Sequence, residues 1–277
     1  MVSDELAPSA IARAKVQRSD STTPVLDSVV VEEPLEIRIK RGGVESQLGI
    51  TMRTPGADLE LAAGFLWGEG FLKSPGELMS VKVCADKNLS LRQRANVVIA
   101  EVSMSSQESI RILERRFTIT SACGVCGSTN ISDLHKRGVS KVSNTTHGNQ
   151  ELADMASLLD GRQRIFDKTG GLHAALLVNP LGEPMWIRED VGRHNAVDKV
   201  IGTALMDGKI PLANWTLVVS GRIGYELVQK SICAGISAIV GVSAPTSLAI
   251  DLAAEFGLTL LAFARGGVAK QYLPSNQ

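Results

Sequence analysis

From about residue 149 onward the chain alternates continuous apolar runs with amphipathic stretches, and few architectures satisfy that regularity. "LHAALLV", "TLVVS", "AIVGVSA" and "TLLAFA" are apolar at successive positions, as strands buried on both faces are. "YELVQKSICAGI" and "TSLAIDLAAEFG" instead repeat at helical spacing, as does the stripe Val197, Val200, Ile201, Ala204 and Leu205. A helix is predicted over residues 150–166, with Leu152, Met155, Ala156 and Leu159 on one side. "LHAALLV" and "PMWIRED" read as a hairpin around "NPLG". The order is therefore α-β-β-α-β-α-β-α-β. Strands apolar on both sides need cover on both sides, so the pattern predicts the α/β class, with helices layered on a mainly parallel sheet. Such sheets bind ligands beyond the C-terminal ends of their strands, which directs attention to the loops there.

The N-terminal half reads differently. Residues 1–24 mix Ser, Thr, Ala, Pro and charge without periodicity and are expected to form a disordered tail. A small α+β region is expected over residues 25–120. In it "VVVEEPLEIRIK" and "VESQLGITMR" flank the turn Arg41-Gly42-Gly43, a helix follows at "ADLELAAGFLWGEGFL", "VKVCAD" and "NVVIAEVS" are strands, and "SQESIRILERRF" is helical. Residues 121–148 form a cysteine-bearing loop and linker, and 149–277 the α/β domain.

Charge and length exclude several functions. Lys plus Arg and Asp plus Glu each number 29, so no net basic field draws nucleic acid or an acidic membrane surface. No apolar run approaches the roughly 18 residues of a membrane span. The N-terminus lacks an apolar signal core and the four cysteines do not form the framework of a small secreted protein, which predicts a reducing cytoplasm.

Two of those cysteines stand apart. "TSACGVCGST" places Cys123 and Cys126 three positions apart among glycine, alanine, serine and threonine. Four readings compete. A zinc clamp needs four ligands, and no second Cys-x-x-Cys exists; His135 and His147 match no common zinc spacing. A thioredoxin-like redox pair normally opens a helix after a strand, whereas this pair follows a helical pattern. An inert turn accounts for isolated Cys84 and Cys233 as core fillers, but does not call for two thiols in a small-residue loop. A sulfur carrier needs an exposed, ionisable thiol with room for a partner's active site, which flanking glycines provide.

Polar motifs punctuate the second half. "WIREDVGRHNAVDK" sets Arg188, Glu189, Asp190, Arg193, His194, Asn195, Asp198 and Lys199 around a strand end and helix start, with Asp190 as the expected N-cap. Two arginines, Arg188 and Arg193, with His194 and Asn195 beside a strand end suit either a phosphate or the orientation of a reacting group. "VVSGRIGYELVQK" passes through Ser220, Gly221 and Arg222 into a helix whose N-terminus would face an anion. "VSAPTS" and "FARGGV" bring Ser243, Thr246, Arg265, Gly266 and Gly267 to equivalent positions. His173, inside an apolar strand pattern, reads as a satisfied core histidine. No Walker sequence is present.

"SACGVCG", "GGLHAALL", "REDVGRHNAVDK", "SGRIGYELVQK" and "VSAPTSLAIDLA", in this order, resemble the successive signatures of the FdhD family of formate dehydrogenase accessory sulfurtransferases. The resemblance covers the chain from about Val29. It implies a sulfur carrier that takes persulfide sulfur from a cysteine desulfurase and passes it to the molybdenum (or tungsten) bis(molybdopterin guanine dinucleotide) cofactor, a bound acceptor, before insertion into apo-formate dehydrogenase. No catalytic metal of its own is implied. The resemblance puts the persulfide on Cys123 and the second thiol at Cys126, and the segment contacting the guanine-nucleotide-containing pterin cofactor at Phe263, Ala264, Arg265, Gly266, Gly267 and Val268. It further implies a three-layer cytidine-deaminase-like fold and a homodimer. Deaminase chemistry itself is excluded: the pair precedes the histidine, and "HAA" at 173–175 lacks the required glutamate. The alternative class is a chaperone that binds the cofactor without moving sulfur.

Overall fold

A computed structural model describes residues 9–103 and 131–273. The expected helix at 106–117 and both cysteines of the pair lie outside the described residues.

In the N-terminal half, β1 (Ile11–Val16) and β2 (Val25–Val30) form an antiparallel ribbon. Part of the expected tail is thus a strand: Ile11, Ala14 and Val16 are half-buried, and backbone pairing with β2 supplies the order that a sequence of small and charged residues does not announce. Next come β3 (Glu33–Arg41), β4 (Val44–Arg53), α1 (Asp58–Glu69), β5 (Leu78–Val83), α2 (Leu91–Ala95) and β6 (Val97–Val102), the strands ordered β4-β3-β6-β5. The β3–β4 turn is the expected one. Gly42 and Gly43 have φ of 54° and 85°, so the two-residue hairpin needs left-handed backbone that glycine adopts without Cβ strain. Leu35, Ile37 and Ile39 point to one face of β3 and are buried.

The second half holds α3 (Ile131–Lys136), α4 (Asn149–Asp154), α5 (Phe166–Thr169), β7 (His173–Val178), β8 (Pro184–Asp190), α6 (Arg193–Met206), β9 (Thr216–Val219), α7 (Tyr225–Cys233), β10 (Ala238–Gly241), α8 (Ser247–Phe256), β11 (Thr259–Arg265) and β12 (Val268–Tyr272). Six strands lie in the order β12-β11-β10-β9-β7-β8. β9, β10 and β11 are parallel, and β7 runs antiparallel to both β8 and β9. The expected strand and helix order is present, with β12 as an unforeseen edge strand, but the sheet is mixed rather than mainly parallel, because β7 and β8 form a hairpin and β12 folds back on β11. No helix among the described residues is long and apolar enough to cross a membrane.

Successive residues of each central strand enter different cores. Ala175, Leu177, Leu217, Val219, Ile239 and Leu260 pack with the apolar stripes of α6, α7 and α8. Ala174, Leu176, Val178, Val218, Val240 and Leu261 meet Leu152, Met155, Ala156 and Leu159. Both faces are therefore covered, as their two-sided apolarity requires. The cover on the second face is shorter than the expected helix over 150–166. α4 tightens into a 3-10 turn (Met155–Leu159), and Asp160 leaves helical space at φ −62°, ψ 129°. Four apolar residues reach the sheet within that length, so burial is complete without a longer helix.

One core spans both halves of the chain, because α1 lies against α6. Gly64 on α1 and Gly202 on α6 make the crossing possible: a Cβ on Gly64 would overlap the Asp198 carbonyl, and one on Gly202 the Glu60 carbonyl. Across the same seam Lys230 Nζ bridges Asp198 Oδ1 at 2.8 Å and Glu69 Oε1 at 3.0 Å. Arg53, wholly buried at the end of β4, grips Asp58 at the start of α1 through Nε–Oδ1 (2.9 Å) and Nη2–Oδ2 (3.0 Å).

Candidate functional site

β8 is parallel to β9 through the antiparallel β7, so the C-terminal ends of β8, β9, β10 and β11 share one edge of the sheet. The first residue of β7 arrives at that edge too. Three loops are fastened side by side there. Ile223 N donates to Ala244 O and Thr246 N to Ile223 O, both at 3.0 Å, and Phe263 N donates to Ser243 O at 3.2 Å. Ser220 binds β7 in both directions, its N donating to Ala174 O (3.0 Å) and its Oγ accepting from Ala174 N (2.9 Å).

This edge gathers Arg193, His194, Gly221 and Arg222, as the sequence predicted, and adds His173. The Gly221 backbone passes so close to His173 that a Cβ there would meet its Nδ1 at 3.1 Å and the Arg193 Cβ at 3.8 Å. His173 is consequently a half-buried wall of the crevice, not a core histidine. Burial, and then the charges of Arg193, His194 and Arg222, push its pKa below the ordinary imidazole value, so it stays neutral near neutral pH. Arg222 is exposed.

α6 begins with Arg193 and His194 and has no acid in its first turn. A cation there opposes the positive end of the helix dipole, an arrangement that becomes favourable once an anion is seated against both. Arg193 Nε is buried and has no hydrogen-bond partner among the described residues, which leaves a donor for a ligand, whereas the equally buried His194 Nε2 makes no hydrogen bond but faces Glu226.

The rest of "REDVGRHNAVDK" serves the fold. Asp190 does not cap α6; Gly192 is the N-cap residue, and it has no side chain to bond the first turn. Instead Asp190 Oδ2 pairs with Lys199 Nζ at 2.7 Å and accepts from Thr54 N at 3.2 Å, while Oδ1 accepts from Gly192 N at 2.8 Å and Asn195 Nδ2 at 3.0 Å. Lys199 Nζ also donates to Thr54 O (2.9 Å) and Asn195 Nδ2 to Met52 O (2.8 Å). These bonds tie the crevice turn at Val191 and Gly192 to the end of β4. A residue list cannot show that partner, because it lies more than a hundred positions away.

The α7 N-terminus likewise differs from the expected open anion seat. Glu226 stands in its first turn, 3.6 Å from His194 Nε2, longer than a hydrogen bond but close for an ion pair. The His194 imidazole foremost, with its own backbone N–H and Arg193, lowers the Glu226 pKa to about 2 against the opposing effect of burial. The folded value lies below the ordinary 4.5, so this carboxylate stabilises the fold above about pH 4.5, and that contribution is lost as pH falls toward 2. Between those limits the wild-type melting temperature is expected to fall more steeply than that of Glu226→Gln. Identical acid limbs in paired thermal melts would show that the contact does not form in solution.

Phe263, Ala264, Arg265, Gly266, Gly267 and Val268 form the bulged end of β11, its hairpin turn and the start of β12. They share the crevice edge, two strand spacings or about 10 Å from the β9 loop. Arg265 is exposed, as is the Phe263 ring, which lies under Lys270 Nζ at 4.9 Å. Ala264 turns into the second core, and Gly267 O accepts from Gln150 Nε2 at 2.8 Å. Thr246 caps α8, its Oγ1 accepting from Ala249 N at 3.4 Å. Of the two other histidines, His135 stacks on Phe256 and binds Glu255 (3.0 Å), and His147 faces Glu151.

Over residues 30–276 the sequence matches the model of the FdhD/NarQ family. A sulfur carrier protein FdhD of Streptomyces avermitilis is 46% identical over 255 residues, 91% of this chain and 88% of that one. One from Saccharolobus solfataricus is 44% identical over 251 residues, 91% of each. Among solved structures, a candidate formate dehydrogenase accessory protein from Desulfotalea psychrophila superposes with a TM-score of 0.70 over 98% of both chains; at 22% identity this speaks to fold alone. The family match runs from the end of β2 through every crevice loop, and the chain belongs to the FdhD/NarQ family.

Proposed function

We propose that the protein is a sulfur carrier for formate dehydrogenase. Its Cys123 thiolate attacks the terminal sulfur of a cysteine desulfurase persulfide; the donor S–S bond breaks, a new one forms on Cys123, and the donor leaves as a thiolate. The recipient is the molybdenum (or tungsten) bis(molybdopterin guanine dinucleotide) substrate, held at the crevice before insertion into apo-formate dehydrogenase. Cys126 assists release: its thiolate attacks Cys123 Sγ, expels hydrosulfide and leaves a disulfide that a small thiol reduces. The carrier works in the cytoplasm as a homodimer, on a cytidine-deaminase-like three-layer scaffold.

One observation carries the substrate side of this reading. The strand-end crevice offers an unpartnered donor on Arg193 and the His194 ring beside exposed Arg222, with Arg265 further along the same edge. Guanidinium groups bind phosphate oxygens in forked pairs, so a pyrophosphate fits between the two loops with a nucleoside beside the exposed Phe263 ring. The names of the relatives supply the sulfur chemistry.

Incubation with desulfurase and cysteine is expected to add the mass of one sulfur atom to Cys123, read by peptide mass spectrometry. Cys123→Ala abolishes the gain and yields formate dehydrogenase that contains cofactor but is inactive. A sulfur gain surviving in Cys123→Ala, or active enzyme formed with it, overturns the assignment.

A further inference from the structure

Glu226 conflicts with the crevice it lines. Its carboxylate stands beside Arg193 and His194 in the first turn of α7, where an incoming anion would otherwise find the positive end of a helix dipole. Its side chain is 27% exposed, and His194 beside it 23%, so water does not fully screen the carboxylate. The Arg193 guanidinium and the His194 imidazole that suit a phosphate also favour the ionised form of this acid.

We infer that Glu226 is a built-in counter-anion of the crevice, a residue that weakens the hold on phosphate-bearing cargo and so allows its release. Before an anion arrives, Glu226 faces the His194 ring and balances the α7 N-terminus. Once phosphate is seated, like charge at close range raises the energy of the bound state and speeds dissociation. Two helix starts thus divide the work: α6 presents Arg193 and His194 to the anion, and α7 presents an acid against it. A carrier benefits from this opposition, since cargo bound as tightly as the cations allow would not pass to the apoenzyme. The inference rests on the crevice holding the phosphates of the proposed substrate.

The test is calorimetric titration of the full chain with inorganic pyrophosphate, guanosine diphosphate and uncharged guanosine, comparing wild type with Glu226→Gln, a substitution of nearly unchanged shape. Glu183→Gln, an exposed acid at the far end of the β7–β8 hairpin, controls for net charge. Glu226→Gln is expected to bind pyrophosphate and guanosine diphosphate on the order of tenfold more tightly at low salt, with a steeper salt dependence and slower dissociation. Guanosine binding and the Glu183→Gln affinities stay at wild-type values. Unchanged or weakened phosphate binding by Glu226→Gln would mean that the carboxylate merely orients His194, and overturns the inference. So would a wild type that binds neither phosphate compound, or guanosine gaining as much as the diphosphate. Sulfur loading of Cys123, measured on the same preparations, fails or succeeds independently and reports separately on the carrier reading.

Discussion

Lys199→Met is expected to destabilise the protein by about 3–5 kcal/mol, because it strands the Asp190 carboxylate without a cation at a site with no solvent exposure. The lysine is itself 1% exposed, and its ammonium also serves the Thr54 and Glu189 carbonyls, so three acceptors lose a donor at once. Denaturant titration reads the loss. Adding Asp190→Asn to Lys199→Met is expected to recover part of it, since no buried charge is then left uncompensated. Full additivity of the two substitutions would show that the pair does not interact. The effect extends beyond stability. Asp190 Oδ1 holds the Gly192 N–H just ahead of Arg193 and His194, so a displaced carboxylate also loosens the turn that aims them, and pyrophosphate affinity should fall with stability.

Gly202→Val is the second large effect. The Gly202 Cα faces the Glu60 carbonyl, with the Gly64 backbone beside it, and at the same crossing Gly64 faces the Asp198 carbonyl. Three added carbons cannot rotate away from backbone atoms, so α1 and α6 must separate along a seam that the whole core shares. A loss of about 3 kcal/mol is expected, which lowers the melting temperature by roughly 6–12 °C for a chain of this size. Gly208→Ala, at a turn residue where a Cβ would meet no atom within 4 Å, serves as the comparison. It carries only the local strain of its φ of 66°. A Gly202→Val melt no lower than that of Gly208→Ala would show that the helices do not cross this closely.

The two halves of the chain differed in how openly they declared themselves. Strands β7, β9, β10 and β11 were legible because two-sided burial imposes continuous apolarity, and α7 and α8 because one-sided burial imposes a 3.6-residue stripe. Local composition therefore determined the α/β class, the order of its elements and the edge where the loops gather. Arg193, His194, Gly221 and Arg222 followed from that edge alone. Strand β1 stayed hidden because alanine and charge interrupt its alternation, and β12 because it follows a glycine turn at a sheet margin. Only the tertiary structure decided what each polar residue does. Asp190, Asn195 and Lys199 became a latch to β4, His173 a crevice wall, and Glu226 an acid among cations. The physical reason is range: hydrophobic periodicity is written within one helix or strand, whereas a charge takes its role from whichever distant backbone or side chain folding places within about 3–4 Å of it.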